Sequence, residues 1–180
     1  MSSDLERTIS VLGNTPAVLR ALLSQLPEEW LRRNEGDKTW SPFDVVGHLI
    51  HGEKTDWIPR ARIILSDIDD KTFVPFDRFA QFKESEGKSP EELLEEFETL
   101  RTQNLNALRS FNLTERDLSK EGIHPALGSV SLGQLLATWM VHDLDHLAQI
   151  IRVIAKQNRQ ATGPWSKYLS VLEWKNKQVS

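Results

Sequence analysis

Four segments of this chain open with residue patterns that start helices, and almost none carries a pattern that starts a strand. Ser41-Pro42-Phe43-Asp44 sets a capping serine before a proline, with Asp44 spaced to reach back to the serine backbone. Ser89-Pro90-Glu91-Glu92 repeats the device, and its acidic first turn suits the positive end of the helix dipole. Ser131-x-x-Gln134 opens a third segment and Thr15-Pro16 a fourth. Behind these starts the apolar residues fall at helical spacing. Ala17, Leu19, Leu22, Leu23 and Leu26 run up to Pro27. Leu93, Leu94, Phe97, Leu100, Leu105 and Leu108 follow Ser89, and the segment from Ser131 extends to about Gln157.

Helix is expected from Ser41 to about Ser66, kinked at Pro59, where the backbone loses a donor. A separate N-terminal helix is expected from about Ser3 to Leu12, broken near Gly13. Thr114-x-x-Asp117 caps one short turn, and "GPWSKYLSVLEW" closes the chain as a short helix. The reading is an all-α protein, four long helices in one domain over residues 1–180. The connection from about Asp67 to Lys88 is too long for a tight antiparallel turn, so a crossover is expected, with the second and third helices parallel. Its Phe73, Val74, Phe76, Phe79 and Phe82 are placed to cover a bundle end or to wall a pocket.

Composition narrows the function. Formal net charge is -4 and the pI is near 5.8, which gives no electrostatic reason for a nucleic-acid partner. No apolar run approaches the roughly 20 residues of a membrane span, and "MSSDLERTIS" lacks a basic start with an apolar run. A soluble cytoplasmic protein is expected, for which the sequon Asn112-Leu113-Thr114 has no meaning. With no cysteine, any metal must be held by nitrogen and oxygen.

The stretch "VHDLDHLAQI" then stands out, because the helix around it is strongly apolar. At about 100° per residue, Leu132, Leu136, Trp139, Leu147, Ile150 and Ile154 define one face. His146 lies within about 60° of its centre, His142 at its edge and Asp143 almost at the centre. Two histidines at i and i+4 can converge on one ion, and neutral imidazole binds zinc, nickel, copper and iron. The plain alternative is a pair of hydrogen-bonded core histidines. Asp143 weighs against it, since a carboxylate in an apolar face is costly unless paired, and orienting a ligand histidine is one reason to keep it. A third ligand is required, and the residue pattern leaves His48, His51 and His124 open. His48 and His51 share a helix side with Gly52 and Pro59, where small residues leave room for a cavity.

The stretch "WSPFDVVGHLIHGEKTDW", followed about 90 residues later by "HPALGSVSLGQLL" and "LGQLLATWMVHDLDHLAQI", resembles the DinB/YfiT-like superfamily. The resemblance covers most of the chain. It implies a four-helix bundle with up-down-down-up topology and a divalent metal, zinc or nickel, on His48, His142 and His146. It leaves His51 outside the ligand set. Similar proteins include thiol S-transferases using bacillithiol, a mycothiol-dependent isomerase and proteins described as metal-dependent hydrolases. The resemblance thus implies a small-molecule substrate and either a low-molecular-weight thiol cosubstrate or a water as the activated nucleophile.

Three histidines leave open metal positions, the pattern of a catalytic site. No side chain is an obvious general base; Asp143 is the acidic residue next to the site, and Gln149 lies one turn on. The alternatives are a non-catalytic metal-binding or stress-response module, and a dimerising helical protein with Trp57, Trp165 and Trp174 as interface aromatics. A homodimer is the expected assembly. Competing motifs fail: there is no G-x-S-x-G, G-x-G-x-x-G or H-E-x-x-H, and Glu53 stands where a Walker lysine would follow Gly52.

Overall fold

The computed structural model describes residues 3–175. Helix α1 spans Ser3–Leu23 and a short α2 spans Glu28–Arg32. Helix α3 runs over Pro42–Thr55 and α4 over Trp57–Leu65. The crossover holds α5 at Ala80–Glu84, and α6 covers Pro90–Ser110. After α7 at Glu115–Leu118, strands β1 (Glu121–His124) and β2 (Gly128–Ser131) form an antiparallel hairpin leading into α8, Leu132–Gln157. Two 3-10 turns, Gly163–Tyr168 and Ser170–Glu173, follow where one short helix was expected. The bundle is built from α1, α3 with α4, α6 and α8: α1 packs on α6 and α8, and α3 packs on the same pair. No helix among the described residues is long and apolar enough to cross a membrane.

The local signals hold because each is closed by bonds within three residues. Ser41 with Asp44, Ser89 with Glu92, Thr114 with Asp117 and Ser131 with Gln134 all form reciprocal capping boxes. Helix α8 consequently starts and stops where spacing predicts, and carries His142 and His146 on its inner side.

Two helix expectations are corrected. Helix α1 passes through Gly13 and Pro16 without a break. Pro16 has no N–H for the Leu12 carbonyl, and Arg101 Nη1 donates to that carbonyl instead, at 2.7 Å. Beyond Thr55 the helix breaks at Asp56, whose ψ of -70° accompanies a φ of -108°. Pro59 explains the position: it cannot donate to the Thr55 carbonyl and its ring crowds that oxygen.

Among the described residues the hairpin is the one sheet, joined by an isolated bridge from Thr72 to Ile123, and the sequence pattern does not announce it. Its four-residue strands are stabilised from outside, because Phe73 N–H donates to Ile123 O and Ile123 N–H to Lys71 O. Gly122 lets the crossover approach: a Cβ there would lie 2.6 Å from the Phe73 ring. Phe73 is buried accordingly, and Phe76 is half-buried, whereas Val74, Phe79 and Phe82 are exposed.

The core divides into two apolar clusters. One gathers Leu5, Ile9, Leu12, Trp57, Leu105, Leu136 and Trp139; the other gathers Leu19, Trp40, Leu49, Ile50, Phe97 and Ile150. Along each long helix a polar residue falls between them: Glu53 on α3, Arg101 on α6 and Asp143 on α8. Arg101 uses all five of its donors. Nε and Nη2 reach Glu53 Oε1 at 3.1 and 2.8 Å. Nη1 and Nη2 reach Asp143 at 2.6 and 3.0 Å. The remaining Nη1 hydrogen goes to Leu12 O. One guanidinium therefore ties α1, α3, α6 and α8 at a single level.

Candidate metal centre

Helix α3 carries His48 against the inner side of α8, where it meets the i, i+4 pair. His48 Nε2 lies 3.2 Å from His142 Nε2, and His146 Nε2 lies 3.1 Å from the same atom. The three residues form a cluster able to hold a metal ion, with one ring nitrogen from each inside a 4.8 Å span. A tetrahedral zinc with bonds of about 2.0–2.1 Å sets its nitrogens about 3.3 Å apart. The donor set and spacing therefore fit a divalent ion.

The hydrogen bonding points the same way. Gln149 Oε1 lies 2.9 Å from His146 Nδ1, so that nitrogen carries the proton and Nε2 turns a lone pair towards the triangle. In one tautomer His142 Nε2 donates across that gap; in the other the lone pairs converge, and a cation between them relieves their repulsion. The Nδ1 atoms of His48 and His142 are buried with no hydrogen-bond partner. Ring packing holds these two imidazoles instead. Trp40 lies 4.7 Å from His48 between ring centroids, and Phe76 meets His48 edge-on at 5.3 Å. Trp57 meets His142 edge-on at 5.1 Å and stacks on Trp139.

Burial, then the charges of His146, His51 and Arg78, lower the His48 pKa to about 3. Burial, then His146, His48 and Arg101, lower that of His142 to about 2. Both rings are neutral near pH 7, the form that binds metal. In the unfolded chain they protonate near 6.5. The unfolded state therefore takes up protons that the native state refuses as pH falls from about 6.5 towards 3. Chelator-treated protein is expected to lose stability over that window, and the His48→Ala/His142→Ala double variant to lose much less. Denaturant midpoints at a series of pH values check this; parallel curves would overturn it.

The other candidates lie elsewhere. His51 Nδ1 pairs with Glu84 Oε1 at 2.9 Å. His124 Nδ1 accepts the Ala126 and Leu127 N–H groups in the hairpin turn. The expectation for Asp143 is corrected, because its two oxygens accept from Arg101. Sequence reasoning missed Glu53 and Arg101, although a signal existed: Arg101 sits one turn from both Phe97 and Leu105 in the buried stripe, and Glu53 one turn from Leu49. The triangle opens into a cleft of about 670 Å³ lined by Trp40, Trp57, Phe73 and Phe76, by the hairpin and by α8. That volume suits a small-molecule ligand.

The chain is 29% identical over 150 residues, covering 82% of its own length and 83% of the relative's, to a Bacillus licheniformis protein described as a candidate metal-dependent hydrolase. Its fold matches Bacillus subtilis YfiT, described in similar terms and as having an unusual four-helix bundle topology, with a TM-score of 0.73 and 22% identity. The match covers 87% of this chain and 89% of YfiT. The sequence profile of the DinB superfamily matches residues 12–150, which include all three histidines of the triangle, and the chain belongs to that superfamily.

Proposed function

We propose that this chain is a metal-dependent enzyme acting on a small molecule, with one divalent ion, zinc or nickel, held by His48, His142 and His146. The observation that carries the reading is the triangle of Nε2 atoms at 3.1 and 3.2 Å, opening into a cleft. Three protein ligands leave room for a reactant, whereas a structural site is closed by four. When bound, the ion supplies Lewis acidity, lowering the pKa of a water or thiol delivered to it. The chain's own residues fix the geometry. Gln149 sets the His146 tautomer, and Trp40, Phe76 and Trp57 hold the other rings while lining the cleft.

The naming of the relatives supports hydrolysis, with water as nucleophile. A cleft of about 670 Å³ also has space for a low-molecular-weight thiol beside an electrophile, which supports S-transfer as the second reading. Protein purified without an affinity histidine tag is expected to carry about one divalent ion per chain by metal analysis. A chain that stays empty after zinc and nickel are each offered overturns the proposal. Consumption of a thiol together with an electrophile separates transfer from hydrolysis.

A further inference from the structure

Arg60, in α4, lines the same cleft and is only 7% exposed. Its Nε pairs with Asp56 at 2.5 Å, its guanidinium lies 5.1 Å over the Phe73 ring, and Nη2 approaches Val74 O only at 3.5 Å. Among the described residues nothing else bonds to it, in contrast to Arg101, whose five donors are all used. Nη2 rests on Val74 O, and Nη1, which has no partner among the described residues, keeps access to the open space of the cleft. A guanidinium is a rigid fork that matches a carboxylate. Here one edge is anchored and the other is offered.

His124 stands beside it. Its Nδ1 accepts two backbone N–H groups at 3.1 and 3.2 Å, so the proton of the neutral ring sits on Nε2, as a donor. No described residue takes that proton. The ring meets Phe73 edge-on at 6.4 Å, and His124 also lines the cleft. Burial, then the Arg60 charge, lowers its pKa, which keeps the ring neutral and places the two groups within electrostatic reach. Both donors pack on Phe73, which the side-chain-free Gly122 allows to seat. They are thus fixed before any ligand arrives, which reduces the ordering cost of binding.

We infer that Arg60 and His124 form an anion-binding subsite, taking a carboxylate or a group of similar charge and shape on the substrate. As part of the substrate site it rests on the metal-centre reading above; as an anion site it stands without it. Asp56 offsets part of the Arg60 charge, so recognition comes from the placed donors more than from net charge. His48 lies on α3 and Arg60 on α4, on either side of the break at Asp56, and both line the cleft. A molecule touching both therefore carries its reactive group and its acid at separate positions, and the spacing that fits is read from the chain-length series below.

The test uses ω-mercaptoalkanoates from mercaptopropionate to mercaptooctanoate, their methyl esters, and octanoate. Binding is read by tryptophan fluorescence on chelator-treated and zinc-loaded protein. The acids are expected to bind about 10- to 100-fold more tightly than the esters, with one chain length best on zinc-loaded protein. Octanoate is expected to bind the chelated form as well. Arg60→Lys should remove most of the acid preference. His124→Asn should reduce it, since asparagine can still accept the turn N–H groups but does not reach as far. Equal binding of acid and ester in the wild type, no binding by either form, or an acid preference untouched in both variants overturns the subsite. An acid preference without any zinc-dependent gain from the thiol keeps the subsite and removes the metal reading; a zinc-dependent gain without acid preference does the reverse.

Discussion

His48→Ala is expected to weaken zinc binding by about a hundredfold to ten-thousandfold, while His51→Ala and His124→Ala change it by less than about tenfold. Protein zinc sites bind with about 10–16 kcal/mol, so one ligand in three is worth about 3–5 kcal/mol. His48 has its Nε2 in the triangle, 3.2 Å from His142. His51, three residues on, turns its Nδ1 to Glu84 and rests against Phe76 with ring centroids 4.9 Å apart. His124 is engaged with its own hairpin turn. Removing His48 breaks no polar contact outside the triangle, since its Nδ1 has no hydrogen-bond partner, so the variant is expected to fold. Competition against a chelating dye measures all three variants on one scale. Equal losses, or a larger loss in His51→Ala, would mean that the ion is held differently.

The contrast between these histidines shows where sequence information is sufficient. His142 and His146 are legible because their convergence is helical: four residues, one turn, one face. His48 is not, because its meeting with them depends on how α3 packs on α8, and helical spacing leaves His51 and His124 equally open. The family resemblance selects His48, and the structure brings its Nε2 to the other two. Asp143 is legible as a buried carboxylate needing a partner, but not as a partner of Arg101, 42 residues earlier on another helix. Thr15-Pro16 has the form of a helix start, and a local reading cannot see the guanidinium that satisfies Leu12 O and lets α1 continue. Capping boxes succeed for the opposite reason, since every bond they predict is closed within three residues. The hairpin escapes notice because its short strands depend on Lys71 and Phe73 of the crossover for bonds and packing.

Arg101→Met is expected to destabilise the fold by about 3–5 kcal/mol near neutral pH, a large share of the roughly 5–15 kcal/mol that holds a domain together. Methionine fills much of the volume but supplies none of the five donors. Glu53 and Asp143 are then left buried with like charges, and Leu12 O loses the partner that Pro16 cannot replace. Asn104 at 2.9 Å and Trp139 at 3.0 Å still donate to the Glu53 carboxylate, but neither carries charge. Burial already lifts the Glu53 pKa against the pull of Arg101, and removing the cation lifts it further. A carboxyl whose folded pKa lies above its unfolded value binds protons more readily in the native state. The deficit should therefore be greatest above that folded pKa and shrink as pH falls through it. A simple cavity would show no such recovery. Adding Glu53→Gln should restore part of the loss at neutral pH by removing one of the two stranded charges. Because Arg101 ties Glu53 on α3 to Asp143 on α8, and these helices carry the three histidines, zinc affinity should fall as well, by about tenfold. Urea denaturation of both variants across pH, with zinc titration alongside, decides the matter: a loss below about 1 kcal/mol, or one that does not change with pH, would mean that the layer is held by packing and not by its charges.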